Sequence, residues 1–385
     1  MDFSCLPRMI TSWKELFFLS HSAVIPNFPE GISGWKLYLQ GGIRGKESEI
    51  EPVTIQEIIS KLPVREKEFT LLCIGATDSW SAIGNAIWTG VTVLEIIQMR
   101  NLHWTTDCDY VEMKGRDGYI ASIPLENLDN LWLVWKMNGQ WLSPEHGFPV
   151  RIIATSYYGT KNVKWIEKIE FLSQAQHQKD IFELQGWPAE HRIRPVSFIY
   201  YPGQFSRIAG SKGKSTLRIT GIAYCGSQEV QNVSVAYDRV YGDYRDWKSQ
   251  YSGKIFENVS WIAAEIVRRG TVDVWSLWKI DISHEWKGVF QVFSKVQCVN
   301  GMATDETWTN DLGGWHGSWP LSSKTIPFYF YVGFRREGIF SSSKPKNSYF
   351  ELLPWFTTRN ATYPSLHNMH NSGFYEILLD ILSSE

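Results

Sequence analysis

Cys73 stands at the end of an apolar run, FTLLCIG (Phe69–Gly75), where the chain enters the loop GATDSWSAIGNAIWTG. A thiolate is a soft metal ligand and a nucleophile, and ligands approach a sheet where a strand's carboxyl end meets a Gly-containing loop. Alone, a Cys in an apolar strand is more often a small core residue. Downstream, HGFPVR (His146–Arg151) and YYGTKNVKWI (Tyr157–Ile166) set His146, Arg151 and Lys164 beside Gly and Pro turns. A phosphate is held by an Arg fork, a Lys point charge and available backbone N–H groups; a surface turn with solvated charges has the same composition. In GRDGYIASIPLE (Gly115–Glu126), Tyr119 follows a Gly turn and could present its hydroxyl to a cleft, or serve only in packing.

The elements that must position these residues alternate in the first half. WKLYLQGGI (Trp35–Ile43) reads as a strand ending in Gly-Gly, and Thr54–Leu62 as a short helix opened by a Thr cap and closed before Pro63. FTLLCIG is a buried strand, and VTVLEIIQM (Val91–Met99) has helical spacing. LWLVWKMNGQWL (Leu131–Leu142) reads as two strands, or a helix–strand step, about an Asn-Gly turn. VRIIATS and KWIEKIEFL add strands, which makes a mixed α+β domain over residues 10–185. Beyond a polar, His-containing link (Gln174–Pro195), short alternating strands recur: TLRITGIAY, VQNVSVAYD, DVWSLWKIDI and VFQVFSKVQ. Their spacing and Gly/Ser turns predict an immunoglobulin-like β-sandwich over residues 196–320. Residues 321–385 form a C-terminal extension with no assigned role.

With 385 residues the chain is long enough for two domains. Its net charge of -2 argues against a nucleic-acid binder, which normally shows a basic face. The 19 Trp point to wide cores with polar edges. Five cysteines (Cys5, Cys73, Cys108, Cys225, Cys298) form no CxxC pair and read as a reduced set, without a disulfide framework or zinc site. No apolar run reaches the roughly 18 residues of a membrane span. The N-terminus carries no export signal, so the expected location is cytoplasmic.

Taken together and in order, WKLYLQG, TLLCIG, IGNAIWTGV, DGYIASIPLE, MNGQWLSPEHGFPVRIIATSYYGTKNVKWI and GIAYCGSQEVQNVSVAYD resemble the sulfite-oxidase-like molybdopterin-binding oxidoreductase family. The resemblance runs over about residues 10–315. It implies an α+β molybdopterin-binding domain, a following sandwich that commonly serves dimerisation, and a molybdenum–molybdopterin cofactor. It implies Cys73 as the thiolate bound to molybdenum, beside the two sulfurs of the pterin dithiolene. It further implies His146, Arg151 and Lys164 as residues holding the pterin and its phosphate, and Tyr119 as the tyrosine that positions or protonates an oxo group. FFLSHSAVIP falls where the family carries an Arg-Asn-His run, which places Ser20, His21 and Ser22 there, His21 and Ser22 as cofactor contacts.

The chain departs from that pattern at the substrate pocket. Ser20 replaces the Arg of the run, and Thr77 and Asp78 replace the two arginines that follow the cysteine in sulfite and nitrate enzymes. Neutral and acidic groups remove the attraction for an oxyanion. The loop is closer to the IGNA-W-GV variant of poorly characterised bacterial members. The expected function is therefore two-electron redox or oxygen-atom transfer on a small substrate other than sulfite, such as a sulfoxide or N-oxide, with an external electron donor or acceptor. The alternatives are a non-catalytic scaffold that keeps the cofactor fold for association, and a true sulfite oxidase. SKGKST (Ser211–Thr216) imitates a phosphate loop but has Ile208 where Gly is required and strand-like sequence after it. His177 and His191 show no ligand pairing and read as solvated linker residues.

Overall fold

Alternation of apolar and polar residues sets the sheets. In the computed structural model, residues 25–46, 51–73, 83–184, 192–202, 207–209, 213–239, 260–303 and 328–333 are described. They lie within one compact unit, Met1–Arg335. The first half contributes β1 (Lys36–Gly41), β2 (Ile43–Arg44), β3 (Val53–Thr54), β4 (Arg65–Leu72), β5 (Ile83–Thr92) and β6 (His103–Trp104). It continues with β7 (Tyr110–Gly115), β8 (Ile120–Pro124), β9 (Leu131–Met137), β10 (Gln140–Trp141), β11 (Arg151–Ala154) and β12 (Ile166–Leu172). One sheet has the order β3-β1-β12-β7-β8; another runs β10-β9-β5-β4, with β11 also paired to β9. β5 and β9 are buried on both faces, as strands inside a sheet are when both sides are covered. Leu37 and Ile169 of the first sheet meet Leu133 and Ile152 of the second in one core.

The helices are few and short. Ile55–Lys61 is capped by Thr54, whose Oγ1 accepts the Glu57 N–H at 3.3 Å. Val93–Met99 opens with a reciprocal capping box between Thr92 and Glu95. The Val91–Met99 run thus serves two elements, since its first two residues finish β5. Asn138 and Gly139 take φ of 51° and 76°, the left-handed pair of a tight hairpin, so the Leu131–Leu142 segment is β9 turning into β10.

The second half supplies β13 (Val196–Tyr201), β14 (Arg207–Ala209), β15 (Ser215–Tyr224), β16 (Val230–Arg239) and β17 (Ile262–Ala263). β18 (Glu265–Arg268), β19 (Ser276–His284), β20 (Gly288–Cys298) and β21 (Phe328–Gly333) complete it. The sheets β13-β15-β19-β18 and β14-β21-β20-β16-β17 share a core in which Ile219 and Trp278 meet Val235 and Phe290. Strand β21 lies in the stretch expected to be a C-terminal extension, and pairs antiparallel with β20 from Val292↔Phe328 to Gly288↔Val332.

Two sequence expectations are overturned. Cys225 and Cys298 are joined in a disulfide across 73 residues, with Cα atoms 6.0 Å apart. Sequence spacing concealed the pair, because β15 and β20 belong to different sheets and only their packing brings the strand ends together. Cys73 and Cys108 take no part in a disulfide. His177 is no solvated linker residue: its side chain is 6% exposed, and its ring stacks on Tyr110 at 4.0 Å. It shares hydrogen bonds with Ser122 Oγ at 3.2 Å and Glu183 Oε2 at 3.1 Å. Glu183 and Asp180 also bind the fully buried Lys161, at 3.1 and 2.6 Å. Paired charge lets Asp180 and Glu183 lie buried within this otherwise largely exposed polar segment. His191 lies outside the described residues.

Candidate functional site

Three successive carbonyls of one turn organise the candidate anion site. The turn Pro144–His146 is capped by Ser143, and Gly147 leaves it with a left-handed φ of 104°. Trp165 Nε1 donates to the Pro144 carbonyl at 2.8 Å. Lys164 Nζ donates to the Glu145 carbonyl at 2.9 Å, and Arg151 Nη1 to the His146 carbonyl at 3.0 Å. The two cationic residues close around Gly147, where a Cβ would sit 3.0 Å from Arg151 Cβ and 3.1 Å from Lys164 Cβ. Any side chain there would push them apart. Thus HGFPVR and VKWI, separate in sequence, meet as one structure.

Arg151 is the first residue of β11, fully enclosed, with Nη2 also donating to the Asn162 carbonyl at 3.3 Å. Its guanidinium carbon lies 5.4 Å from the centre of the Trp88 ring. Burial pushes Arg151 down to about 9, which leaves it charged at neutral pH. Burial, and then the charge of Arg151, push Lys164 down to about 7. His146 is buried and shares a hydrogen bond with Ser143 Oγ through Nδ1 at 2.8 Å. Two buried cations side by side raise the energy of the charged state, and an anion placed against them would lower it.

Tyr119 adjoins this group through its turn: Arg116 N–H donates to the Trp165 carbonyl at 2.9 Å. Its hydroxyl donates to the Thr160 carbonyl at 2.7 Å. Burial, with the charges of Asp180 and Asp117, pushes the phenol up, so the group stays protonated. Two polar atoms nearby are buried without a hydrogen-bond partner: Trp88 Nε1 beside Arg151, and Thr160 Oγ1 beside Tyr119. An unsatisfied buried donor or acceptor costs about 1–3 kcal/mol, which a ligand supplying the missing partner would recover.

Cys73 follows β4 directly, is half-buried, and packs on a different cluster that includes Leu72, Tyr158, Phe198 and Trp275. Tyr158 links this cluster to the cations, since its carbonyl accepts from Asn162 Nδ2 at 3.1 Å and the Asn162 carbonyl accepts from Arg151. His146, Arg151 and Lys164 are therefore brought together, Tyr119 adjoins them, and Cys73 is reached through Tyr158 and Asn162. His21, Ser22, Ser20, Thr77 and Asp78 lie outside the described residues. Sequence reading missed Asn162, whose Oδ1 also accepts the Ala154 N–H at 2.9 Å, and Ser143, which could have been found as the N-cap before Pro144.

Residues 23–179 match the family described as the oxidoreductase molybdopterin binding domain. The chain is similar to the NADPH nitrate reductase of Beauveria bassiana, 24% identical over 70% of this chain and 35% of that protein. It is similar to the mitochondrial sulfite oxidase of Drosophila melanogaster, 25% identical over 69% of this chain and 49% of the relative. The uncharacterized oxidoreductase YuiH of Bacillus subtilis is 26% identical over 41% of this chain and 75% of its own. The chain thus spans a third to a half of the length of the first two relatives. Among solved structures, the sulfane dehydrogenase SoxCD of Paracoccus pantotrophus shares the fold. Its TM-score is 0.58 at 15% identity, over 77% of this chain and 76% of that one.

Proposed function

We propose, because the chain belongs to the molybdopterin-binding oxidoreductase family, that it is a molybdenum-cofactor-dependent oxidoreductase acting on a small substrate other than sulfite. The carrying observation is the buried Arg151–Lys164 pair around Gly147. The residues fit an anionic pterin cofactor: two enclosed cations, the buried His146, and two unsatisfied polar atoms beside them. Arg151, Lys164 and His146 would hold its phosphate and pterin, Cys73 would bind molybdenum through its thiolate, and His21 and Ser22 would contact the cofactor. The bound cofactor supplies two-electron redox chemistry, with or without oxygen-atom transfer. Tyr119 keeps its proton and donates it in a hydrogen bond to the Thr160 carbonyl, so its hydroxyl would have to leave that carbonyl to donate to a ligand.

Support for the substrate class comes from Ser20, Thr77 and Asp78, which leave no cationic trap for an oxyanion. A sulfoxide or N-oxide suits such a pocket, with electrons exchanged through an external partner. The second sheet pair is read as the immunoglobulin-like domain, with homodimerisation as its role. Among the described residues no helix is long and apolar enough to cross a membrane. The Cys225–Cys298 bond supports maturation under oxidising conditions rather than in the cytoplasm.

The test is elemental analysis after expression in a cofactor-competent host. Wild-type protein should carry molybdenum, and Cys73→Ser should lose it. Metal-free wild-type protein, or a Cys73→Ser variant with full metal-dependent activity, would overturn the assignment. Rapid sulfite turnover by loaded protein would overturn the substrate class.

A further inference from the structure

Asp273 lies between β18 and β19, buried, with a left-handed φ of 65°. Aspartate is among the few residues other than glycine that take this conformation readily. Its backbone N–H donates to the Gly226 carbonyl at 3.1 Å, which holds it in the second sheet pair. Its other bonds reach into the first half of the chain. The Asp273 carbonyl accepts from Thr70 N–H at 2.9 Å, and Oδ1 accepts from Ser156 Oγ at 2.6 Å. One residue therefore grips two segments that are remote from each other in sequence.

Both segments lead to the candidate site. Thr70 lies on β4, the strand that ends at Leu72 just before Cys73. It is held further by Trp275 N–H, which donates to Thr70 Oγ1 at 3.0 Å, while Thr70 Oγ1 donates to Asn85 Oδ1 at 2.8 Å. Ser156 has a left-handed φ of 66°, and its carbonyl accepts from Ile193 N–H at 2.9 Å. From Ser156 the chain runs through Asn162 to Lys164, and the Asn162 carbonyl accepts from Arg151.

We propose that Asp273 is a positioning residue, through which the second sheet pair fixes β4 against the Ser156 turn and so sets Cys73 relative to Arg151 and Lys164. This rests on the reading of those residues as the cofactor site. A ligand held at both ends tolerates little displacement between its anchors, since about 1 Å of misplacement is enough to impair a site. The first half of the chain supplies the ligating groups and the second half supplies their spacing.

The experiment uses full-length protein with two readouts. One is the molybdenum retained by loaded protein during dialysis against a chelator. The other is the alkylation rate of Cys73 in cofactor-free protein, followed by peptide mass spectrometry with Cys108 as internal control. Asp273→Gly keeps the left-handed backbone and both backbone bonds but removes the carboxylate. Asp273→Asn keeps an acceptor for Ser156, and Ser156→Ala removes the donor. Asp273→Gly and Ser156→Ala should each speed Cys73 alkylation and molybdenum loss by about tenfold, the scale of one lost buried hydrogen bond. Cys108 should be unchanged, and Asp273→Asn should stay near wild type. Wild-type rates in Asp273→Gly, or equal acceleration at Cys108, would overturn the proposal. Should Asp273→Gly fail to fold, Ser156→Ala decides it by the same criteria. Absence of molybdenum from wild-type protein would overturn the cofactor reading, while Cys73 alkylation would still decide whether Asp273 positions the strand.

Discussion

Removing the Cys225–Cys298 cross-link should weaken the protein by an amount that its sequence separation sets. The bond ties the end of β15 to the end of β20, in opposite sheets, across 73 residues. Chain entropy for a loop of that length gives about 4 kcal/mol of stabilisation, mostly by restricting the unfolded chain. Both sulfurs are buried, so Cys225→Ala with Cys298→Ala also leaves a small void that adds to the loss. The assay is urea unfolding of wild type and the double variant, each with and without a reducing agent. With a slope of about 2 kcal/mol per molar urea, the midpoint should fall by about 2 M. Reductant should lower the wild-type midpoint by a similar amount and leave the variant unmoved. Equal midpoints, or intact-mass detection of free thiols at both positions after oxidative expression, would refute the reasoning.

Three further perturbations test the buried charges. Lys164 in the unfolded chain titrates near about 10.4, whereas burial and Arg151 hold it at about 7 in the folded protein. Between these values the unfolded chain binds the extra proton, so cofactor-free wild type should gain stability from pH 7 to 9. Lys164→Met should lose that rise; parallel urea midpoints for both proteins would count against the burial of the ammonium. Asp273 shows the opposite sign: burial raises its carboxyl, so its contribution is greatest below the usual Asp range and is lost as pH rises. Asp273→Asn should match wild type in melting temperature near pH 3.5 and exceed it at pH 7, and the reverse order would exclude the argument. Lys161→Met should cost about 3–5 kcal/mol, because Asp180 and Glu183 would remain buried without their cation. Calorimetry showing less than about 1 kcal/mol would mean water reaches those carboxylates.

Local chemistry was readable and long-range chemistry was not. Thr54 marks its helix because a hydroxyl before an apolar run satisfies an orphan N–H. Asn138-Gly139 marks its hairpin because few other pairs take two left-handed conformations. HGFPVR and VKWI were legible as a set of cationic residues beside Gly and Pro turns, but not the way three consecutive carbonyls fasten one to the other. Cys225, His177 and Asp273 were misread or overlooked for one physical reason. Each is defined by a partner from another element: Cys298, Tyr110 with Glu183, and Ser156 with Thr70. Nothing in the few residues around any of them records that partner.

The same geometry bears on what the second sheet pair does. If it served association alone, the first half of the chain would keep its own core around Cys73. Instead, Cys73 packs against a cluster built from both halves, with Leu72 and Ile83 on one side and Phe198, Ile222 and Trp275 on the other. Apolar contact there is joined by the Thr70 and Ser156 hydrogen bonds, so the two halves are linked by packing and by directional bonds at once. Removing the second half would expose that cluster to water, at roughly 25 cal/mol per Å² of apolar surface, and would leave the end of β4 without its anchor. The cationic pair would be less affected, because its carbonyl partners all lie between Pro144 and Asn162. The proposed cofactor would then keep its phosphate grip and lose its thiolate. On the proposed reading, the second sheet pair acts on the thiolate end of the site, and its effect on the phosphate end is indirect.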